Sequence, residues 1–218
     1  MARVSADQRR EDLAAAAVRV MMKVGVPATT TRLISDEAGV PQSVFHYCFR
    51  SKEELFEQLT RDVVESMVGE ALDAVGNALD AVGNAENFET SVQRSMQGLF
   101  TNAAEQPERQ LVLYELTCLA LRDPEKAGFA EWQYKQYFDH TGQLLVALAD
   151  RAGVEWVAPI NVLSRMVTTM IDGLILGWMA DGNTEEATQA MDLFSAQLAG
   201  LAVAKSIDKS TTPRNKAG

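Results

Sequence analysis

Between residues 29 and 55 the chain reads Thr-Thr-Thr-Arg-Leu-Ile-Ser-Asp-Glu-Ala-Gly-Val-Pro-Gln-Ser-Val-Phe-His-Tyr-Cys-Phe-Arg-Ser-Lys-Glu-Glu-Leu, and this stretch constrains the fold more than any other. Gly39 breaks it, and Pro41 can only open a new helix, where its missing N–H costs nothing. The spacing therefore predicts one short helix from near Thr30–Thr31 to Ala38 and a second from Pro41 to near Phe49. Leu33, Ile34 and Ala38, with Val40, Phe45 and Phe49, form a small shared core. Phe45 and Phe49 lie four apart and so fix the inward face of the second helix. Its outward face then carries Gln42, Ser43, His46 and Tyr47, all able to exchange hydrogen bonds.

The flanks complete a three-helix unit. Ser5-Ala-Asp-Gln8 reads as a capping box that opens a first helix with Leu13, Ala16, Ala17, Val20, Met21 and Val24 at helical spacing. Gly25 ends that helix and Pro27 forbids its continuation. Ser51-Lys-Glu-Glu54 reads as a second capping box at the head of a long fourth helix. Two short helices around a glycine have the dimensions of a helix-turn-helix, whose second helix lies in the major groove of DNA. Gln42 can read adenine there and Ser43 several bases, while His46 and Tyr47 suit base edges or phosphate. Thr31 and Arg32 open the preceding helix, where free N–H groups favour a phosphate, and Lys52 adds a further phosphate contact.

Net charge looks wrong for a DNA binder until it is divided along the chain. Residues 1–55 hold 8 Lys/Arg against 7 Asp/Glu, whereas the remainder holds 12 against 23. An acidic body is repelled by DNA and leaves only the headpiece to approach it.

The pattern Thr-Arg-x-Ile-x-x-Glu-Ala-Gly-Val, then Phe-His-Tyr-Cys-Phe-x-Ser-Lys-Glu-x-Leu, resembles the headpiece of the tetracycline-repressor (TetR) family across about residues 9–60. The resemblance implies a DNA-binding three-helix domain, and a fourth helix linking it to a body that binds a small-molecule effector and forms a homodimer. Pro41, His46 and Cys48 depart from residues frequent in that family and leave the operator sequence open. A two-fold dimer implies a pseudo-palindromic operator with half-sites about 34–36 Å apart.

The whole chain reads as all-α, with a helix-turn-helix domain over 1–50, a helical effector-binding and dimerisation domain over 51–204, and a disordered tail over 205–218. Body helices are expected at about 87–105, 108–121, 124–152, 159–181 and 185–204, and no segment alternates as a strand would. A heptad, Ala71–Asn77, is duplicated as Ala78–Asn84, with Gly76 and Gly83 weakening the second copy.

Aromatic and sulfur side chains recur on successive body helices. Phe100, Tyr114, Cys118, Tyr134, Phe138 and Met170 are read as lining an apolar effector pocket, with the hydroxyls of Tyr114, Tyr134 and Tyr137 as polar handles. Glu115 interrupts an apolar run: it either favours a cationic ligand, or pairs with Arg122 or Arg165, or faces solvent. Asp172 is similar, and its place before Gly173 suggests a structural or interfacial role. Gly173 and Gly177 permit close helix approach, and with Trp178, Met191, Phe194 and Leu198 are expected to form a four-helix dimer interface.

Enzyme chemistry finds little to work with. His46 and His140 are the two histidines, without a nucleophile–base arrangement, a Gly-rich phosphate loop or metal-ligand spacing, and no cofactor is expected. Cys48 and Cys118 fit a reducing compartment. The apolar stretch 166–180 is read as too short to span a bilayer, so the protein is expected in the cytoplasm with no membrane contact.

Overall fold

The computed structural model describes residues 5–59, 61, 62, 69 and 87–205. The duplicated heptad and the tail beyond Lys205 lie outside them. Helix α1 spans Ala6–Val24, α2 Thr31–Glu37 and α3 Gln42–Cys48, followed by α4, helical over residues 52–59. The body holds α5 (Phe88–Ala104), α6 (Pro107–Arg122), α7 (Ala127–Ala152), α8 (Ile160–Asp181) and α9 (Thr184–Ala199).

Both capping serines work, but only half of each box forms. Ser5 Oγ accepts from Gln8 N, while the Gln8 side chain turns to Glu11 and Asp12. Ser51 Oγ accepts from Glu54 N, and the Glu54 carboxylate takes the N–H of Arg50 instead of closing back on Ser51. Gly25, at φ +80°, ends α1 in a conformation that a side chain would strain.

Two cores organise these elements. The first buries Leu13, Ala17, Met21, Ile34, Phe45, Phe49, Leu55 and Leu59 of the headpiece together with Val112 and Leu116 of α6. The second buries Val92, Met96 and Phe100 of α5 with Leu145, Leu148, Leu163, Val167, Met191 and Leu198. Helix α6 belongs to the first core and packs the half-buried Tyr114 against the second. Leu33 and Val24, read from the sequence as core, are exposed at the ends of their helices.

Helices α7 and α8 run antiparallel: Tyr134 meets Asp172 at one end, Thr141 meets Thr168 midway, and Gly142 lies against Ser164 and Ile160 nearer the connecting turn. On the other side, Gln93 and Gln97 of α5 both donate to Asp192 of α9, at 2.9 and 2.8 Å.

The expected absence of strands is corrected. Helix α9 stops at Ala199, and β2 (Ala202–Ala204) pairs antiparallel with β1 (Val154–Trp156). Each strand has three residues, too few for an alternating pattern to register in the sequence. Helix α8 is also longer than the apolar stretch read from the sequence: its 22 residues are apolar enough, by length and composition alone, to cross a bilayer. Leu163 and Val167 bury one flank of it in the body core.

Candidate nucleic-acid interface and the tyrosine cluster of the body

Helix α3 presents the face its spacing predicts. Phe45 is fully buried and Phe49 nearly so, with ring centroids 5.7 Å apart, while Gln42, Ser43, His46 and Tyr47 are exposed. Tyr47 is 80% exposed, an unusual position for so large an aromatic side chain. Gln42 Nε2 donates to Thr31 Oγ1 at 3.0 Å, which joins the start of α2 to the start of α3 and leaves the second amide N–H and the carbonyl oxygen of Gln42 open. Arg32 projects into solvent with Asp36 3.8 Å away, an ion pair too exposed to hold it firmly. Lys52 is less free than the sequence implies: its ammonium donates to the Thr29 carbonyl at 2.8 Å and lies 4.9 Å from the Phe56 ring centre.

Arg10 holds this unit together, and no motif pointed to it. Its guanidinium donates to the carbonyl of Cys48 at the end of α3, to Gln58 Oε1 at 2.7 Å and to Glu54 at 3.3 Å, and sits 4.3 Å from the Phe49 ring centre. Across the unit, Arg19 and Lys23 grip Glu37 at 2.9 and 2.8 Å, and these two contacts hold its carboxyl below the ordinary range. Glu115 takes none of the partners foreseen for it. Its Oε2 accepts from the N–H of Val26, at 2.6 Å, in the turn after α1.

The residues read as an effector pocket separate into groups. Tyr114, Tyr134 and Phe138 come together: Tyr134 Oη donates to Asp172 Oδ2 at 2.9 Å, Tyr114 Oη donates to the Asp172 carbonyl at 3.1 Å, and the Phe138 ring lies 5.8 Å from that of Tyr134. Phe100 is buried in the body core against Trp178, and Met170 is half-buried. Cys118 is exposed, because the apolar run of α6 wraps around the helix and leaves Leu111, Leu119 and Leu121 in solvent as well. An open groove of about 860 Å³ between α7 and α8 shares only Phe138 with the predicted set; Val146 and Ile160 line it together with Lys135, Arg165, Glu131, Asp139 and Asp150.

Asp172, read from the sequence as structural or interfacial, stands at the centre of this cluster. Burial raises its carboxyl pKa, against the hydrogen bond from Tyr134. Burial and then the Asp172 charge push the Tyr114 hydroxyl up to about 12, with Gln110 pulling the other way, and burial likewise raises Tyr134 and Tyr137. All three phenols are therefore donors at neutral pH. A buried chain extends behind them: Thr117 donates to Gln133, and Gln133 to Tyr137.

The interface residues are likewise redistributed. Gly173 and Gly177 are exposed on α8, flanked by exposed Leu176 and Val162. Met191 and Leu198, however, are 1% and 0% exposed in the core of one chain, where they pack with α5, and are not available to a second copy. Trp178 also packs on that core and donates its indole N–H to Thr184 at 2.9 Å; Phe194 is half-buried. The large apolar residue that α9 turns outward is Leu193, 68% exposed.

Comparisons with known proteins fit this architecture. Residues 13–59 match the family described as bacterial regulatory proteins, tetR family, and residues 87–202 match the tetracyclin repressor-like C-terminal domain. The chain is 27% identical over 179 residues to the HTH-type nicotine-responsive transcriptional repressor HdnoR of Paenarthrobacter nicotinovorans, covering 82% of this chain and 88% of that protein. A TetR transcription regulator from Haloarcula marismortui superposes with a TM-score of 0.71 at 17% identity, over 90% of this chain and 100% of its own. The transcriptional regulator FadR from Bacillus subtilis, in complex with stearoyl-CoA, superposes with a TM-score of 0.63 at 16% identity, over 87% and 96% of the two chains.

Proposed function

Because the chain belongs to the tetR family of bacterial regulatory proteins, we propose that it represses transcription as a homodimer on a pseudo-palindromic operator and is released by a small hydrophobic or amphipathic effector. One observation carries this reading: four hydrogen-bonding side chains project from α3 because two buried phenylalanines anchor its back. Gln42, steadied by Thr31, keeps one N–H and its carbonyl oxygen for an adenine edge, and Ser43 reads beside it. His46 and Tyr47 reach base edges or phosphate, while Thr31, Arg32 and the unused N–H groups of Lys52 set the register on the backbone. The acidic body turns away from the duplex, so the headpiece leads.

The dimer forms through α8 and the outer face of α9. Val162, Gly173, Leu176 and Gly177, together with Leu193, make an apolar surface that a second copy covers in a four-helix bundle. That covering accounts for the apolar length of α8 without a membrane, and the chain then acts in the cytoplasm, where its operator lies. Effector chemistry varies among relatives, one being nicotine-responsive and another holding stearoyl-CoA. The body's own side chains must therefore define the ligand.

Selection of bound sequences from a random duplex library tests the repressor reading. Enrichment of an inverted repeat with half-site centres one helical turn, or a whole number of turns, apart supports it. Failure to enrich any sequence at low salt, with the protein folded and dimeric, overturns it.

A further inference from the structure

Resting on the effector-released reading, we propose that the body binds an organic cation, an amine carried on an aromatic or otherwise flat apolar frame, with the ammonium group on Asp172.

The argument starts from a carboxylate that the fold leaves short of partners. Asp172 is half-buried, and among the described residues its side chain accepts one hydrogen bond, from Tyr134. A carboxylate has about four acceptor positions. Among the described residues no Lys or Arg forms an ion pair with it. A partly buried charge so poorly compensated works against folding, and groups of this kind persist where a ligand completes them.

The surroundings select the sign of that ligand. Tyr134 stands edge-on to Tyr137 at 5.7 Å between ring centres and tilted against Phe138 at 5.8 Å, so a wall of three rings adjoins the carboxylate. Ring faces attract cations, and the structure already uses this wall in that way: the Arg165 guanidinium lies 4.3 Å from the Phe138 ring centre. A ligand carboxylate or phosphate would meet Asp172 with like charge in a poorly solvated place, whereas an ammonium supplies both the charge and the N–H donors that Asp172 lacks.

Two further features define shape. Phe138 belongs both to the ring wall and to the groove between α7 and α8, so the groove borders the wall. One turn beyond Tyr137 on α7, His140 Nδ1 is buried with no hydrogen-bond partner among the described residues.

The test uses the full-length protein and a matched set of probes measured by calorimetry: N,N-dimethylbenzylamine, its carbon isostere isobutylbenzene, and phenylacetate. The amine should bind at least tenfold more tightly than the isostere, about 1.4 kcal/mol, and phenylacetate should bind most weakly. Asp172→Asn, checked for helicity by circular dichroism, should abolish the preference for the amine. Tyr134→Phe, which keeps the carboxylate, should preserve it. The proposal is overturned if wild type binds the isostere or phenylacetate as well as the amine, if it binds none of them, or if Asp172→Asn leaves the preference intact. Should Asp172→Asn fail to fold, the probe comparison on wild type still decides. Operator binding is scored separately, so a repressor released only by anions or neutral compounds refutes the amine site and leaves the repressor reading standing.

Discussion

Glu115 on α6 accepts the backbone N–H of Val26 at 2.6 Å, so a carboxylate of the body closes the turn that ends the first helix of the headpiece. The preceding residue, Tyr114, reaches the opposite way, to Asp172 on α8. One peptide unit of α6 therefore touches both the DNA-binding unit and the proposed ligand centre. Removing the Glu115 acceptor should leave the Val26 N–H unsatisfied beside a buried side chain. Glu115→Ala is expected to lower stability in urea by about 1–3 kcal/mol, and Glu115→Gln, which retains an oxygen acceptor, by less than about 1 kcal/mol. Equal losses for the two variants would show that the contact is not what matters.

Arg10 joins α1, the end of α3 and α4 through one guanidinium. Arg10→Ala should cost roughly 2–3 kcal/mol, chiefly from the carbonyl, amide and ring contacts, since the long 3.3 Å contact to the half-buried Glu54 adds little. Arg10→Lys should recover less than half of this, because an ammonium cannot reproduce the planar fork. Denaturant melts of the three proteins measure the series.

Truncating the exposed residues of α3 should separate recognition from folding. Gln42→Ala should weaken operator binding by about 1–3 kcal/mol and relax sequence choice at one position. Tyr47→Ala, removing a side chain that is 80% exposed, should weaken binding while the thermal midpoint stays within about 1 °C of wild type. Fluorescence anisotropy against the selected operator, with calorimetric melts alongside, reads both quantities. A folding defect in Tyr47→Ala would place that ring in the core instead.

Two neighbouring positions on α9 should behave in opposite ways. Leu193→Glu puts a charge on the outer face and should yield a folded monomer with weakened operator binding, seen by sedimentation. Met191→Glu buries the same charge in the core of a single chain and should unfold the body. A dimeric Leu193→Glu protein would move the interface elsewhere.

Asp172 gives stability a direction in pH. Its folded-state pKa lies above the unfolded value because burial disfavours the charge. Its contribution is therefore present in full below about pH 3.9, the unfolded value, and is lost as pH rises through the folded one. Asp172→Asn, neutral throughout, should melt higher than wild type at pH 8, and the advantage should shrink or vanish at pH 4. A constant gap in melting temperature across that range would contradict the sign.

Legibility followed the range of the interactions. The headpiece helices, their caps and the outward face of α3 depend on residues within a few positions of one another, so Gly39, Pro41, Phe45 and Phe49 disclose them. Arg10 reaches Gln58, and Glu115 reaches Val26, across separations that no local pattern records. Asp172 was visible as a charge in an apolar helix, but its partners come from α6 and α7, and only packing brings them together. On α9, hydrophobic spacing revealed a stripe without saying what it meets: Met191 and Leu198 pack with α5 of their own chain, and Leu193 on another face is left outward.

The short ribbon of β1 and β2 makes α7 and α8 a pair of tweezers. Val157 N–H donates to the Leu201 carbonyl and Lys205 N–H to the Gly153 carbonyl, so the strand after α9 clasps the turn between the two long helices. Tyr134 and Asp172 meet further along the two helices, away from that clasp. With one end pinned, any parting of the two arms widens with distance from the clasp, toward the Tyr134–Asp172 contact and the segment of α6 that carries Tyr114 and Glu115.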